Sequence, residues 1–261
     1  MSIFLLYLLL GAVAGVLAGL FGIGGGMVVV PALIFAFGAQ HLPVDVLTHL
    51  AVGTSLACII GTAISSIIAH HQKGGVLWPI FTSCTLGILL GAALGVKTAV
   101  LLPGALLQKL IGIFAICVAL QMALNLKPKA SRGLPGKPGL VGAGGVIGWA
   151  SAIFGIGGGT LTVPFLTWCN VSMQQAVGTS AALGLPIAIV GAATNIVAGW
   201  DAPGLPQWSL GYVYLPAVLG IVIASTPFAR VGARLAHRLP GHILKRAFAL
   251  LLVIVGIRFL L

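Results

Sequence analysis

The sequence predicts an all-α integral membrane protein with two inverted-topology repeats, each containing a broken or re-entrant helix at a duplicated glycine-rich motif. Three observations predict this fold class. Apolar residues make up 59% of the 261 positions, charged residues only 6%, and the main motifs occur twice in the same order. Because a membrane span needs about 20 mostly apolar residues, the chain has room for about eight to ten crossings.

The composition excludes several classes of protein. A charged share of 6% is far below the ~25% of an ordinary soluble domain. The net charge of +11 comes from bases in a few short loops, as orientation signals do, so we expect a lipid bilayer and no nucleic acid as partner. The widely spaced cysteines predict packing positions and no disulfide framework: Cys58, Cys84, Cys117 and Cys169.

Two landmarks show the duplication most clearly. The run Phe-Gly-Ile-Gly-Gly-Gly begins at Phe21 and again at Phe154, and a proline follows each copy ten residues after the phenylalanine. The run Ala-Val-Gly-Thr-Ser begins at Ala51 and again at Ala176. A third motif, Leu-Pro-Gly, is also present late in each half. Landmarks that recur in the same order indicate two homologous halves.

Each half is predicted to contain an apolar segment, the glycine-rich break, a short apolar segment and three longer helices. The expected segments are 3–21, 27–38, 48–70, 77–96 and 103–125 in the first half, and 139–154, 160–169, 174–199, 208–228 and 240–261 in the second. Extra loop residues are expected around 40–47 and 200–207. Residues 1–126 therefore form the first predicted membrane repeat and residues 139–261 the second.

The linker between the halves, residues 127–138, is rich in Pro and Gly and carries four bases. Basic loops stay in the cytoplasm, so we expect this linker there. Counting spans outward from it gives each half an odd number of crossings, which inverts one half relative to the other, as is common in secondary transporters. How many segments span fully and how many are re-entrant stays open.

The glycine breaks are predicted to bind an anion. A helix that begins after three glycines has amide groups without intrahelical partners, and no side chain keeps a ligand away from them. Two such N-termini that face one point near the midplane favour negative charge there. The alternative is that the glycines only let helices pack closely. The predicted substrate-binding glycines are Gly22, Gly24, Gly25, Gly26, Gly155, Gly157, Gly158 and Gly159.

A duplicated Thr-Ser pair begins the third helix of each half and completes the predicted site. The pairs are Thr54 with Ser55, and Thr179 with Ser180. Their hydroxyl groups could donate hydrogen bonds to the oxygen atoms of a passing oxyanion. The alternative is that each hydroxyl bonds a preceding carbonyl of its own helix.

No pattern in the sequence predicts an enzyme, a cofactor or a metal site. The chain has no glutamate, no nucleophile elbow and no metal-ligand spacing. No strand precedes either glycine run, so a dinucleotide or phosphate loop is disfavoured. The histidines are expected to act as interfacial anchors: His41, His49, His70 and His71.

The paired Gly-Ile-Gly-Gly-Gly runs with their prolines, the paired Ala-Val-Gly-Thr-Ser runs and the central linker resemble the TauE/SafE sulfite exporter family over nearly the whole chain. The resemblance implies a permease in the cytoplasmic (inner) membrane of a bacterium or archaeon. It also implies a small anionic substrate such as sulfite, a sulfonate or a related sulfur-containing or organic anion. The identity of the anion stays open. Whether the protein forms a homo-oligomer also stays open.

The acids bear on how such transport would be driven. Asp45 and Asp201 are the only two acids, and both are predicted to lie in external loops. Without a buried carboxylate to carry a coupling ion, an inside-negative potential still drives an anion outward, with about 2.3 kcal/mol per charge per 100 mV. We therefore expect uncoupled or weakly coupled efflux. A proton- or sodium-coupled importer and an anion channel remain alternatives.

Overall fold

A computed structural model describes residues 3–21, 26–124, 133–236 and 241–261. Helices dominate these ranges, which confirms the predicted all-α class. The helices are α1 (Ile3–Phe21), α2 (Gly26–Ala39), α3 (Val44–His71), α4 (Trp78–Val100), α5 (Gly104–Ala123), α6 (Lys137–Phe154), α7 (Gly159–Trp168), α8 (Met173–Ala198), α9 (Leu215–Ala236) and α10 (Gly241–Leu260), with strands β1 (Ser209–Leu210) and β2 (Val213–Tyr214).

Four helices in the described part of the chain are long and apolar enough to cross a membrane: α3, α4, α5 and α8. By contrast, α2 has 14 residues and α7 has 10. At about 1.5 Å per residue these two helices are about 21 and 15 Å long, well short of the ~30 Å hydrocarbon layer. Two shortened helices, one in each half, are therefore part of the fold.

Helix boundaries differ from the sequence expectation mainly where proline and a short hairpin decide them. Helix α3 begins at Val44, four residues earlier than expected, directly after Pro43. Helix α9 begins at Leu215 and not at 208, because β1 and β2 pair as an antiparallel hairpin just before it. Helix α6 begins at Lys137, inside the expected linker. The rest of that linker up to 132 lies outside the described residues.

Glycine seams join two pairs of helices. On α1, Gly11 lies against Ile221 of α9, and four residues on, Gly15 lies against Ser225. The α4–α6 pair has the same four-residue spacing, because Gly144 lies against Cys84 and Gly148 lies against Ile88. Residue numbers rise together along each pair, so its helices run parallel. Main chains approach this closely only where no side chain stands between them.

The centre of the molecule is formed by α3 and α8. Gly53 of α3 faces Asn195 of α8, whereas Leu56 of α3 faces Gly191 of α8. Residue numbers fall on one helix as they rise on the other, so these two equivalent helices run antiparallel. Helix α2 packs on α3, α7 packs on α8, and α5 pairs with α10. The shortened helices are therefore held against the central pair.

Candidate functional site

The second glycine break is present where the sequence predicts it. Helix α6 ends at Phe154, and Gly155 follows in the left-handed conformation with φ of 65°. Gly158, with φ of 76°, lies directly before α7 and is also left-handed. L-residues with a side chain rarely adopt this conformation, so glycine at both positions allows the chain to leave one helix and begin the next.

The N-terminus of α7 presents amide groups that no helical carbonyl accepts. The first hydrogen bonds of the helix run from the amides of Leu161 and Thr162 to the Gly158 oxygen, at 3.1 and 2.8 Å. The amides of Gly159 and Thr160 precede these bonds and have no intrahelical partner. Because aligned peptide dipoles place partial positive charge at this end, the N-terminus favours an anion.

The two shortened helices begin against each other. A methyl group at Gly26, the first residue of α2, would lie 3.0 Å from the Gly155 oxygen and 3.0 Å from Ile156 Cα. The Thr160 hydroxyl lies 3.9 Å from the Met27 sulfur, and these two residues occupy equivalent positions in the two halves. We call this contact of Gly26 and Met27 with Gly155, Ile156 and Thr160 the half-helix junction.

The described part of the junction includes five of the eight predicted glycines. Gly26, Gly155, Gly157, Gly158 and Gly159 all lie at or beside it, and Gly157 contacts Ile59 of α3. The other three, Gly22, Gly24 and Gly25, lie outside the described residues.

Ser55 connects the central helix α3 to the second break. Its hydroxyl donates to the Gly155 oxygen at 2.9 Å, and the bond is buried. This bond links the first half of the chain to the second. In the equivalent position, Ser180 is buried, and its hydroxyl has no partner among the described residues.

Thr54 and Thr179 make equivalent contacts to two helix starts. The Thr54 hydroxyl accepts a hydrogen bond from the amide of Tyr214, directly before α9, at 3.0 Å. The Thr179 hydroxyl accepts one from the amide of Leu77, directly before α4, at 2.9 Å. Both threonines are fully buried. Each therefore satisfies an amide at a helix start, and neither bonds a carbonyl of its own helix.

Two further hydroxyl groups were missed by sequence reasoning. Ser151 and Thr162 are fully buried, and neither hydroxyl has a hydrogen-bond partner within the part of the chain that the structure describes. A methyl group at Gly158 would lie 3.4 Å from Thr162 Oγ1 and 3.8 Å from Ser151 Oγ, so both hydroxyls flank the start of α7. Their equivalents in the first half are Ala18 and Val29, so the duplication gave no signal for them. Their closeness to the break in sequence was the available clue.

Charged side chains do not contribute to the junction. Every Asp, Lys and Arg side chain that the structure describes is exposed. Within the same residues, no group of three or more His, Cys, Asp or Glu side chains could hold a metal ion. The local polarity of the described residues therefore comes from peptide groups and hydroxyls.

One histidine departs from the expectation of interfacial anchors. His49 is only 5% exposed, and both of its ring nitrogens contact carbonyl oxygens. The expectation of an interfacial anchor is therefore wrong for His49. The sequence gave little warning, because α3 begins four residues earlier than expected and so carries His49 into the interior.

Comparisons with known proteins agree with this architecture. A family model described as "Sulfite exporter TauE/SafE" matches residues 7–259. The chain belongs to the TauE/SafE sulfite exporter family. A relative from Haemophilus influenzae, named as a probable membrane transporter protein, is 39% identical over 259 residues, covering 98% of this chain and 98% of its own. A relative from Methanocaldococcus jannaschii, also named as a probable membrane transporter protein, is 29% identical over 261 residues, covering 98% of this chain and 95% of its own.

Family membership settles the general class of the protein. Its TauE/SafE relatives are named as membrane transporters and not as enzymes, and several of its own helices are apolar enough to span a bilayer. The chain is therefore a multi-pass membrane transporter of the TauE/SafE family. Within it, the half-helix junction is where the start of α2 lies against the second glycine break.

Proposed function

We propose that this TauE/SafE protein exports small anions, such as sulfite, sulfonates or related sulfur-containing or organic anions, and binds them at the half-helix junction. One observation carries the proposal. Two shortened helices begin against each other, and the unpartnered, buried hydroxyls of Ser151 and Thr162 flank the start of one of them. A buried hydroxyl without a partner costs free energy. An anion that accepts a hydrogen bond from this hydroxyl would recover that free energy.

The packing supports inverted repeats as part of the proposal. The equivalent helices α3 and α8 run antiparallel, and the α1–α9 pair has the α6–α4 pair as its equivalent. An inverted pair of half-helices directs both N-termini toward one depth in the membrane, where a single anion could contact both. We place residues 1–126 and 139–261 in the two repeats.

The direction of transport follows from the membrane potential. We place the protein in the inner membrane of a bacterium or archaeon, with the basic linker 127–138 in the cytoplasm. An inside-negative potential of 100 mV then favours anion efflux by about 2.3 kcal/mol per charge, roughly a fiftyfold concentration ratio. Export therefore needs no second ion as a driving force.

The test is flux of defined anions from proteoliposomes. Purified protein is reconstituted, a potential of either sign is set, and efflux of sulfite, thiosulfate, a sulfonate and a carboxylate is measured. We expect saturable flux that follows the potential and that a second substrate anion competes. Flux that does not saturate would favour the alternative of an anion channel, and a strict requirement for a proton or sodium gradient would favour the coupled importer.

Two variants test the binding site itself. In Ser151→Ala and Thr162→Val, one hydroxyl donor to the anion is removed with little change of volume, so we expect the half-saturating anion concentration to rise about tenfold or more. Ser65→Ala is the matched control, because the Ser65 hydroxyl is exposed and bonds a carbonyl of its own helix. Unchanged half-saturation in both site variants would place the binding site elsewhere.

A further inference from the structure

His49 occupies an unusual position for a titratable side chain. It lies in the second turn of α3, is 5% exposed, and bridges two helices. Its Nδ1 atom lies 2.7 Å from the main-chain oxygen of Asp45, one turn earlier in α3. Its Nε2 atom lies 3.0 Å from the main-chain oxygen of Ala99, in the last turn of α4. The imidazole therefore joins α3 to the C-terminal end of α4.

The two contacts require two donors. A carbonyl oxygen only accepts hydrogen bonds, and a neutral imidazole has one N–H group, so one of its nitrogens would face a carbonyl with a lone pair. The imidazolium has two N–H groups and satisfies both carbonyls. The bonding geometry therefore matches the protonated form.

The Ala99 carbonyl is well suited to accept this bond. The residue four positions later, which would supply the next helical N–H group, is Pro103, and proline has none. The oxygen accepts only the Leu102 amide from its own chain segment, at 3.1 Å, and keeps a lone pair for His49. It also lies at the C-terminal end of α4, where the helix dipole favours a cation.

The charged side chains on the elements around His49 are exposed, so main-chain carbonyl oxygens are the groups that stabilise a charge on its ring. On its own helix, Asp45 contacts the ring through a backbone oxygen, and the side chain is exposed. On α4, Lys97 is exposed. From the hairpin, the Tyr212 ring lies 5.3 Å from the imidazole, and burial raises the pKa of Tyr212, so the phenol stays neutral. On α5, which packs against Asp45, the nearest charged residue is Lys109, also exposed.

We propose that His49 is a proton-binding site: its imidazolium holds α3 to the end of α4 in this closed arrangement, and its deprotonation releases that contact during transport. Acid therefore favours the closed arrangement, and a rise in pH favours opening. The equivalent position in the second half is Gln174, which does not titrate. The proposed switch therefore responds to pH on the His49 side.

The first experiment measures the charge of His49 without any substrate. Nitrogen NMR of the full-length protein with labelled histidine distinguishes imidazolium from neutral imidazole. Single variants of the other five histidines, His41→Asn among them, assign the remaining signal to His49. At neutral pH we expect His49 to show the imidazolium pattern. A neutral pattern for His49 at that pH would overturn the proposal.

The second experiment uses flux and therefore rests on the proposed function. With the pH of one side varied over roughly 5 to 8.5, around the ordinary titration of imidazole, we expect wild-type flux to rise about tenfold when the His49 side becomes less acidic. The His49→Gln substitution should leave the response to pH on the other side unchanged. In His49→Gln the dependence on the His49 side should fall below about twofold, while His41→Asn should retain it. Equal dependence in His49→Gln and the wild type would overturn the proposal.

The two proposals fail in different ways. If no anion is transported, the proposed function fails, and the NMR measurement still decides whether His49 holds a proton. The release of the α3–α4 contact on deprotonation is then tested by measuring the unfolding temperature. We expect that temperature to fall with rising pH in the wild type but not in His49→Gln, and the same fall in both would overturn the role of His49. If His49→Gln does not fold, NMR and side-specific flux of the wild type provide the test.

Discussion

Hydroxyl groups, and not charges, connect the central residues of this TauE/SafE transporter. Ser55 bonds the Gly155 carbonyl across the two halves, and Thr54 and Thr179 each accept the amide at a helix start. A hydroxyl both donates and accepts, so a small residue at a helix crossing can satisfy a main-chain group of another element without bringing charge into the membrane.

The first prediction concerns Ser55. In Ser55→Ala the buried Gly155 oxygen loses its donor, so we expect the free energy of unfolding to fall by about 1–2 kcal/mol. Reversible unfolding of the purified protein in mixed micelles measures this change. Ser65→Ala, the same substitution at an exposed position of the same helix, should change it by less than about 0.5 kcal/mol. Equal effects of the two variants would show that the Ser55 bond contributes nothing specific.

At the scale of helices, glycine has two separate roles that the sequence does not distinguish. Gly155 and Gly158 end and begin helices, because both adopt positive φ. Gly87, Gly91 and Gly95 are ordinary helical residues of α4 that lie directly against the main chain of α6. Glycine therefore breaks helices at some positions and lets helices pack closely at others, whereas its role in binding an anion stays a prediction.

The second prediction tests the packing role. A methyl group at Gly91 would overlap the main-chain oxygen of Gly145, so Gly91→Ala must separate α4 from α6. We expect a loss of about 1–3 kcal/mol in the free energy of unfolding. Gly142→Ala on α6 is the control, since nothing lies within 4 Å of its added methyl group, and it should be neutral or stabilise by up to about 1 kcal/mol. A harmless Gly91→Ala would contradict the close α4–α6 contact.

Whole-molecule architecture rests on the meeting of equivalent residues at the half-helix junction. Met27 and Thr160 are 133 positions apart in a duplicated chain, and their side chains are in contact. Equivalent residues contact each other only near the axis that relates two repeats. An anion bound there would lie on or near that axis and would be shared by both halves.

The third prediction tests this contact. In a background without the four native cysteines, Met27→Cys combined with Thr160→Cys should be bridged by a disulfide when copper phenanthroline is added as the oxidant. The bridge is seen as protection from maleimide labelling that a reducing agent reverses. Phe35→Cys with Thr160→Cys is the control, because the Phe35 side chain is exposed on α2 and should not be bridged. Bridging of both pairs alike, or of neither, would contradict the half-helix junction.

Several helix boundaries of this fold are determined by residues that are neighbours in the chain. Apolar runs interrupted by Gly155 and Gly158 predict where α6 ends and α7 begins. In lipid, a helix satisfies its backbone hydrogen bonds within its own segment, so its composition alone indicates it. Helix starts that depend on other elements were less predictable. The start of α9 shifted to Leu215 because β1 and β2 form a hairpin, and that pairing leaves little trace in a window of apolar residues.

The sequence by itself determined the membrane class, the duplication, the shortened α7 and the family, since composition, repetition and glycine runs are properties of neighbouring residues. Only the tertiary structure decided which side chains of the interior lack partners among the described residues and which contact main-chain carbonyls of two helices. Ser151, Thr162 and His49 stand in apolar segments that resemble many others, and their surroundings come from distant parts of the chain. The His49 contact with Ala99 spans 50 residues, and a partner at that distance is set by packing and not by local pattern.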